Sequence, residues 1–198
     1  MAAVIVPFRS IDPKRRLDPL DERARALLAT AMLGDVVEAA TAVGDVLVVA
    51  SDRPELPRSA RHVADPRRGQ GAAVLAALEA ATQAGATAPF LVVNADVPCV
   101  EPRDLLALVG ALPEGGLALV AARDGTTNAL ALAREDLFEP LYGPGSAERF
   151  EALAPSRRVD APNLVDDVDT LDDLLRLAGR VGPRTRAMLA TVGLGAAA

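Results

Sequence analysis

Histidine and cysteine are nearly missing from this chain: His62 and Cys99 are the single examples among 198 residues. One cysteine cannot close an intramolecular disulfide, and one of each cannot assemble a Cys/His zinc cluster. A Ser-His or Cys-His catalytic pair would have to recruit His62 or Cys99. Neither has sequence neighbours that would make it reactive, so both read as structural. An excess of positive charge is missing too. Lys plus Arg total 21 against 27 Asp plus Glu, a formal charge of -6, which excludes a bulk electrostatic attraction to nucleic acid and leaves any anionic ligand to a local basic site. Long apolar runs are also absent. The run in MAAVIVPFRSIDPKRR precedes its basic cluster and is too short for a signal-peptide core or a membrane span, so a cytoplasmic protein with no membrane partner is expected. The mean hydropathy of +0.22 comes from alanine spread through polar helices. What survives these exclusions is chemistry run by charge, with any metal held by carboxylates.

What is present suits one globular domain over residues 1–198: 51% of residues are hydrophobic and 24% charged, with no repeat, linker or composition break. Short β-branched runs at Ala3–Val6, Val46–Ala50, Phe90–Asn94, Leu117–Ala121 and Asn128–Leu132 read as strands. Between them, Asp21–Ala42 reads as a helix capped by Asp21, with Leu27, Leu28, Ala31 and Met32 on its apolar face and Gly44 closing it. Further helices are expected at Gly71–Thr82, Pro102–Leu108, Ser146–Ala154 and Leu171–Gly179. The tail, 181–198, reads as a weak helix ending in disorder-prone Gly and Ala. Alternating βα units predict an α/β fold, a mostly parallel, mixed central sheet flanked by helices. In such sheets ligands sit beyond the carboxyl ends of the strands.

Five segments follow such ends or precede helices. Val6-Pro7-Phe8-Arg9 leads from a strand into a loop carrying Lys14, Arg15 and Arg16, fixed positive charge that could hold phosphates; it lacks a Gly-rich Walker pattern, and a solvated basic loop is the competing reading. Asn94-Ala95-Asp96-Val97-Pro98 ends an apolar strand in a carboxylate, a donor suited to Mg²⁺, while helix capping by Asp96 is disfavoured because the next helix begins only near Pro102. In Asp166-Asp167-Val168-Asp169, an extended backbone would project Asp167 and Asp169 to one side, where they repel unless a cation lies between them. Thr170 and Asp173 read as a capping box, with Asp172 and Asp173 in the first helical turn. Gly143-Pro144-Gly145-Ser146 exposes backbone N–H groups ahead of a helix, a place for a small phosphate or carboxylate, with Ser146 as an ordinary N-cap and a solvated Glu148 or Arg149 as the alternative. A Gly-flanked loop, Gly69-Gln70-Gly71, would let a base or ribose approach the backbone, or simply permit close helix–sheet packing.

In this order, VIVPFRSIDPKRRL, NADVP, TTNALAL, YGPGSAERF and DDVDTLDDL resemble the guanylyltransferases that activate a small phosphorylated acid in coenzyme F-420 biosynthesis, a family comprising 2-phospho-L-lactate guanylyltransferase and the bacterial phosphoenolpyruvate guanylyltransferase. The resemblance implies a single-domain nucleotidyltransferase fold of the nucleotide-diphospho-sugar transferase type. It implies Mg²⁺ on Asp96 with Asp167 or Asp169, and the phosphorylated acid at Thr127, Gly143 and Ser146. Lys14 and Arg16 would face the nucleotide phosphates, and Arg9, Gly69, Gln70 and Gly71 the rest of GTP. It also implies a homodimer that passes its product to a downstream transferase. The chain departs from the family pattern at Arg9, where lysine is commoner, at NADVP in place of GDLP, and at Gly69–Gly71 in place of a Leu-Asn loop.

The expected reaction joins the acid's phosphate to the α-phosphorus of GTP. A molybdenum-cofactor guanylyltransferase or a sugar-phosphate nucleotidyltransferase would share the fold, but those open with a Gly-rich loop that Val6-Pro7-Phe8-Arg9 is not. A non-catalytic nucleotide-binding module is the reading from a different class.

Overall fold

A computed structural model describes residues 2–9, 14, 17, 18, 20–57 and 59–194. Seven strands form one sheet: β1 (Ala2–Pro7), β2 (Gly44–Ala50), β3 (Ala60–Ala64), β4 (Phe90–Val93), β5 (Leu117–Ala121), β6 (Thr127–Leu132) and β7 (Ser156–Arg158), in the order β3-β2-β1-β4-β6-β5-β7. β3, β2, β1 and β4 run parallel, β6 is antiparallel to both β4 and β5, and β7 is parallel to β5. The reversal at β6 has a consequence for the site. It brings the start of that strand, Thr127 and Asn128, beside the end of β4, where Asn94 N donates to Asn128 O at 2.9 Å.

Seven α-helices cover the sheet among the described residues: α1 (Glu22–Thr41), α2 (Gln70–Gln83), α3 (Pro102–Gly110), α4 (Ser146–Glu151), α5 (Pro162–Val165), α6 (Leu171–Leu177) and α7 (Pro183–Thr191). Alternation along β1 feeds two apolar layers, Ala2, Val4 and Val6 packing with α1, α3, α6 and α7, and Ala3 and Ile5 with α2 and α4. The caps follow the sequence. Asp21 accepts from Ala24 N at 2.7 Å to start α1, Glu101 and Asp104 form a capping box on α3, and Thr170 with Asp173 does so on α6. No helix among the described residues is long and apolar enough to cross a membrane.

Several local expectations change. Leu27 is 40% exposed, and the buried stripe of α1 runs instead through Leu28, Ala31 and Met32. Gly44 does not end α1, whose C-cap is Ala42; it opens β2, where a Cβ would lie 2.0 Å from Ala2 O, so close strand pairing demands the glycine. α4 stops at Glu151, short of Ala154, and the residues after Asn163 are not extended but make the single turn α5 before an irregular 166–169. β3 and β7, ARHVA and SRR, are polar edge strands without the apolar run that marks the interior ones. The tail does form a helix. The Asp35 carboxylate of α1 accepts from Arg184 N and Thr185 N, both at 2.9 Å, and so caps α7; residues 195–198 lie outside the described part.

Candidate functional site

A cleft of about 840 Å³ opens at the carboxyl edge of β1, β2 and β4, lined among others by Phe8, Arg9, Lys14, Ser51, Asp65 and Arg67. Gly69, Gln70, Asn94, Asp96 and Asp169 complete its polar wall. Lys14 and Arg67, the two non-glycine residues with positive φ among those described (54° and 58°), both stand in this wall. Left-handed backbone at such residues costs roughly 1 kcal/mol and persists where the surroundings fix it.

The chemistry concentrates at the end of β4. Asp96, Asp167 and Asp169 each bring a carboxylate oxygen to a point where all three lie within 4.8 Å of one another. The backbone explains the meeting: Val168 N donates to Asp96 O at 2.9 Å, which sets Asp167 and Asp169 on either side of the residue tied to Asp96. Lys14 Nζ reaches the same point, donating to Asp96 Oδ2 at 2.6 Å and to Asp169 Oδ1 at 3.2 Å. Burial opposes the lysine's charge, but the two carboxylates prevail and hold its pKa above the ordinary value. Asp167 also moves up, which for a carboxyl disfavours the charged form. Burial, then the charges of Asp96 and Asp169, push it up to about 6.

These residues fit a divalent cation. Asp96 Oδ1 is buried and has no hydrogen-bond partner among the described residues, an unusual state for a carboxylate oxygen unless it serves a ligand. An all-oxygen set suits a hard ion such as Mg²⁺, which completes its octahedron with substrate oxygens and water. Both Asp167 and Asp169 bring an oxygen to the triad with Asp96.

The second cluster lies where β6 begins. Thr127 Oγ1 and Ser146 Oγ are 3.1 Å apart and buried. Ser146 is the first residue of α4, and its N-cap is Gly145, at φ 70°. Arg149 is not merely solvated. Its guanidinium donates to Pro144 O at 2.6 Å and Leu141 O at 2.7 Å, pinning the loop through Gly143, while Tyr142 packs edge-on against Phe150 with centroids 5.4 Å apart. Asn94 Nδ2 donates to Thr127 O at 3.2 Å, tying this loop region to the strand that carries Asp96.

Of the remaining sequence candidates, Arg9, Gly69 and Gln70 line the cleft. Gly71 faces Pro140, whose Cβ lies 2.4 Å from where a side chain would start, so its smallness serves packing. Arg16 lies outside the described residues. His62 Nε2 lies 2.9 Å from Ala50 O, and Cys99 is buried, its thiol pushed up to about 11 by burial; neither meets the cleft. Sequence reasoning passed over Asn94 and Asn128 as chemistry, although a carboxamide inside the apolar run TNALAL was a visible signal.

The MobA-like NTP transferase domain matches residues 15–159. The phosphoenolpyruvate guanylyltransferase of Sphaerobacter thermophilus is 36% identical over 174 residues, covering 83% of this chain and 84% of that protein. The protein of the same name from Nocardia farcinica is 35% identical, covering 96% and 91%. The 2-phospho-L-lactate guanylyltransferase of Natrialba magadii is 33% identical, covering 88% and 82%. The chain belongs to this guanylyltransferase family. Its nucleotidyltransferase fold is shared by more distant structures. A protein described as a nucleotide-diphospho-sugar transferase from Desulfovibrio desulfuricans superposes with a TM-score of 0.70 at 18% identity, covering 97% of this chain and 95% of its own. The 2-C-methyl-D-erythritol 4-phosphate cytidylyltransferase of Thermus thermophilus gives 0.61 at 17%, covering 87% and 95%. The MobA-like domain match covers β2 to β7 and the segments bearing Asp96, Thr127 and Ser146, while β1, Lys14, Asp167 and Asp169 lie outside its bounds.

Proposed function

We propose that the chain transfers GMP from GTP to the phosphate of a small phosphorylated carboxylic acid, with phosphoenolpyruvate preferred to 2-phospho-L-lactate, in coenzyme F-420 biosynthesis. The observation that carries this is the meeting of Lys14, Asp96, Asp167 and Asp169 at one edge of the cleft, with Asp96 Oδ1 left unpartnered among the described residues. A phosphate monoester has a second pKa of about 6, so near neutral pH it is already an anionic nucleophile and needs no general base. One of its oxygens bonds to the α-phosphorus as the bond to the β-phosphate oxygen breaks, and pyrophosphate leaves with that electron pair. The residues therefore position and neutralise. Asp96, Asp167 and Asp169 would hold Mg²⁺, which supplies charge stabilisation at the phosphates when bound. Lys14, Arg9 and Arg16 balance the negative charge of the triphosphate. Gly69 and Gln70 face the nucleoside, and the Thr127, Gly143 and Ser146 cluster receives the acid. The resemblance of the motif set supports a cytoplasmic homodimer whose product passes to a downstream transferase.

The test is a substrate panel of phosphoenolpyruvate, 2-phospholactate and 3-phosphoglycerate, each with GTP or ATP, followed by pyrophosphate release and product mass. The expected result is fastest release with GTP and phosphoenolpyruvate. Mg²⁺-dependent GTP binding with no pyrophosphate from any acid would establish a non-catalytic module instead.

A further inference from the structure

Three carboxamides form a chain, of which the proposed reaction gives a part to Gln70 alone. Gln70 Nε2 donates to Asn94 Oδ1 at 2.7 Å, and Asn94 Nδ2 donates to Asn128 Oδ1 at 3.2 Å. Asn128 Nδ2 then donates to the carbonyls of Leu164 at 3.0 Å and Val165 at 3.2 Å. Every link runs in the same sense, so turning one amide would set donor against donor or acceptor against acceptor. Aligned chains of this kind polarise one another in a low-dielectric interior.

Asn128 is 1% exposed and is followed along β6 by Ala129, Leu130, Ala131 and Leu132, all buried. A buried carboxamide costs stability unless its polar atoms are bonded, and an aliphatic side chain would fill the space more cheaply. The asparagine is explained by what it holds. Leu164 and Val165 end α5 immediately ahead of Asp166 and Asp167, while Asn94 stands two residues ahead of Asp96. The chain thus fastens the segment carrying Asp167 to the end of β4 from residues 164 and 165, just before Asp167, while the Val168–Asp96 backbone bond holds it just after.

We propose that Asn94 and Asn128 are positioning residues that fix the Asp167 segment against Asp96 and so set the carboxylate triad for a divalent cation, with Gln70 as the cleft-facing end of the same chain. This deepens the guanylyltransferase reading, since it concerns the same triad, yet it is tested without turnover. The measurement is Mn²⁺ binding to the full chain, without GTP or phospho-acid, from the paramagnetic resonance of free Mn²⁺. Asn128→Ala and Asn94→Ala are expected to weaken binding about tenfold or more, the range usual for groups that orient metal ligands. Asp35→Asn, which loosens α7 and lowers thermal stability away from the chain, is expected to leave binding within twofold. If Asn128→Ala does not fold, Asn94→Ala, at a half-buried position, decides. A loss below threefold in folded Asn94→Ala, an equal loss in Asp35→Asn, or a wild-type protein that binds no Mn²⁺ overturns the proposal. Failure of the guanylyltransferase reading is a separate result: Mn²⁺ binding that follows the expected pattern in a protein that releases no pyrophosphate.

Discussion

Lys14 Nζ lies 2.6 Å from Asp96 Oδ2, joining two residues 82 positions apart at the mouth of the cleft. The ammonium occupies the electrostatic place that a divalent cation would share, so the two compete for the same carboxylate charge. Lys14→Gln is therefore expected to tighten Mn²⁺ binding to the free protein while lowering guanylyl transfer by at least about a hundredfold, because an oriented cation at developing phosphate charge is lost. Calorimetric Mn²⁺ titration and pyrophosphate release, run side by side, check the opposite signs. Loss of both binding and turnover would show that Lys14 holds the site together rather than neutralising substrate.

Asp167 gives the site a pH dependence. Burial and the neighbouring Asp96 and Asp169 charges raise its pKa to about 6 from the ordinary 3.8. The folded protein thus binds a proton more readily than the unfolded chain, so ionising Asp167 costs stability. That cost is fully present above about pH 6 and is relieved as pH falls through 6 toward 3.8. Thermal melts of metal-free protein should show Asp167→Asn melting higher than wild type at pH 7.5, with the gap closing near pH 4. In wild type, Mn²⁺ binding should weaken below about pH 6 and release a proton there, since the ligating form is the carboxylate.

The three acids of the triad were legible because two signals survive without coordinates: a carboxylate at the end of an apolar strand, and an Asp-x-Asp spacing. The helical turn α5 ends at Val165 and the backbone is extended again at Asp166, and the bond from Val168 N to Asp96 O brings Asp167 and Asp169 to Asp96 without a paired strand. Gly71 carried two readings, because a glycine required by Pro140 looks the same in sequence as one required by a base, and the contact with Pro140 favours packing. β3 and β7 escaped because edge strands take their partners from the sheet rather than from an apolar run. The Asn94–Asn128 link joins residues 34 positions apart on antiparallel strands, and no local pattern encodes such pairing.

Asp166 neighbours the triad but answers to a different environment. It is 3% exposed and bonded to Arg123 at 2.7 Å, Arg176 at 3.0 Å and Arg180 at 2.9 Å. Burial opposes its charge, but the three arginines outweigh burial and bring its pKa down to about 2. The stability it contributes is present above the unfolded value of 3.8 and is lost as pH falls toward 2, a window separate from that of Asp167. Asp166→Asn is expected to cost about 3 kcal/mol in urea denaturation at pH 7, the scale for breaking a buried charge cluster. A cost below about 1 kcal/mol, the scale of an exposed pair, would mean that the half-exposed arginines are solvated enough not to need it.

Thr127 and Ser146 can test where the acid binds. Their hydroxyls are 3.1 Å apart and buried, beside the Gly143 loop and apart from the residues that line the cleft. Thr127→Val keeps the shape of the side chain but removes one hydroxyl, leaving Ser146 Oγ without its partner at a cost of about 1–2 kcal/mol in stability. If this pair receives the phosphorylated acid, KM for that acid should rise about tenfold or more while KM for GTP stays within twofold, because a lost hydrogen bond to a charged group is worth about 1.5–3 kcal/mol. Initial-rate kinetics with each substrate varied in turn distinguish the cases. A matched rise in both constants would place the hydroxyl pair in the scaffold common to both sites, and an unchanged pair of constants would move the acid's binding elsewhere along the β6 edge.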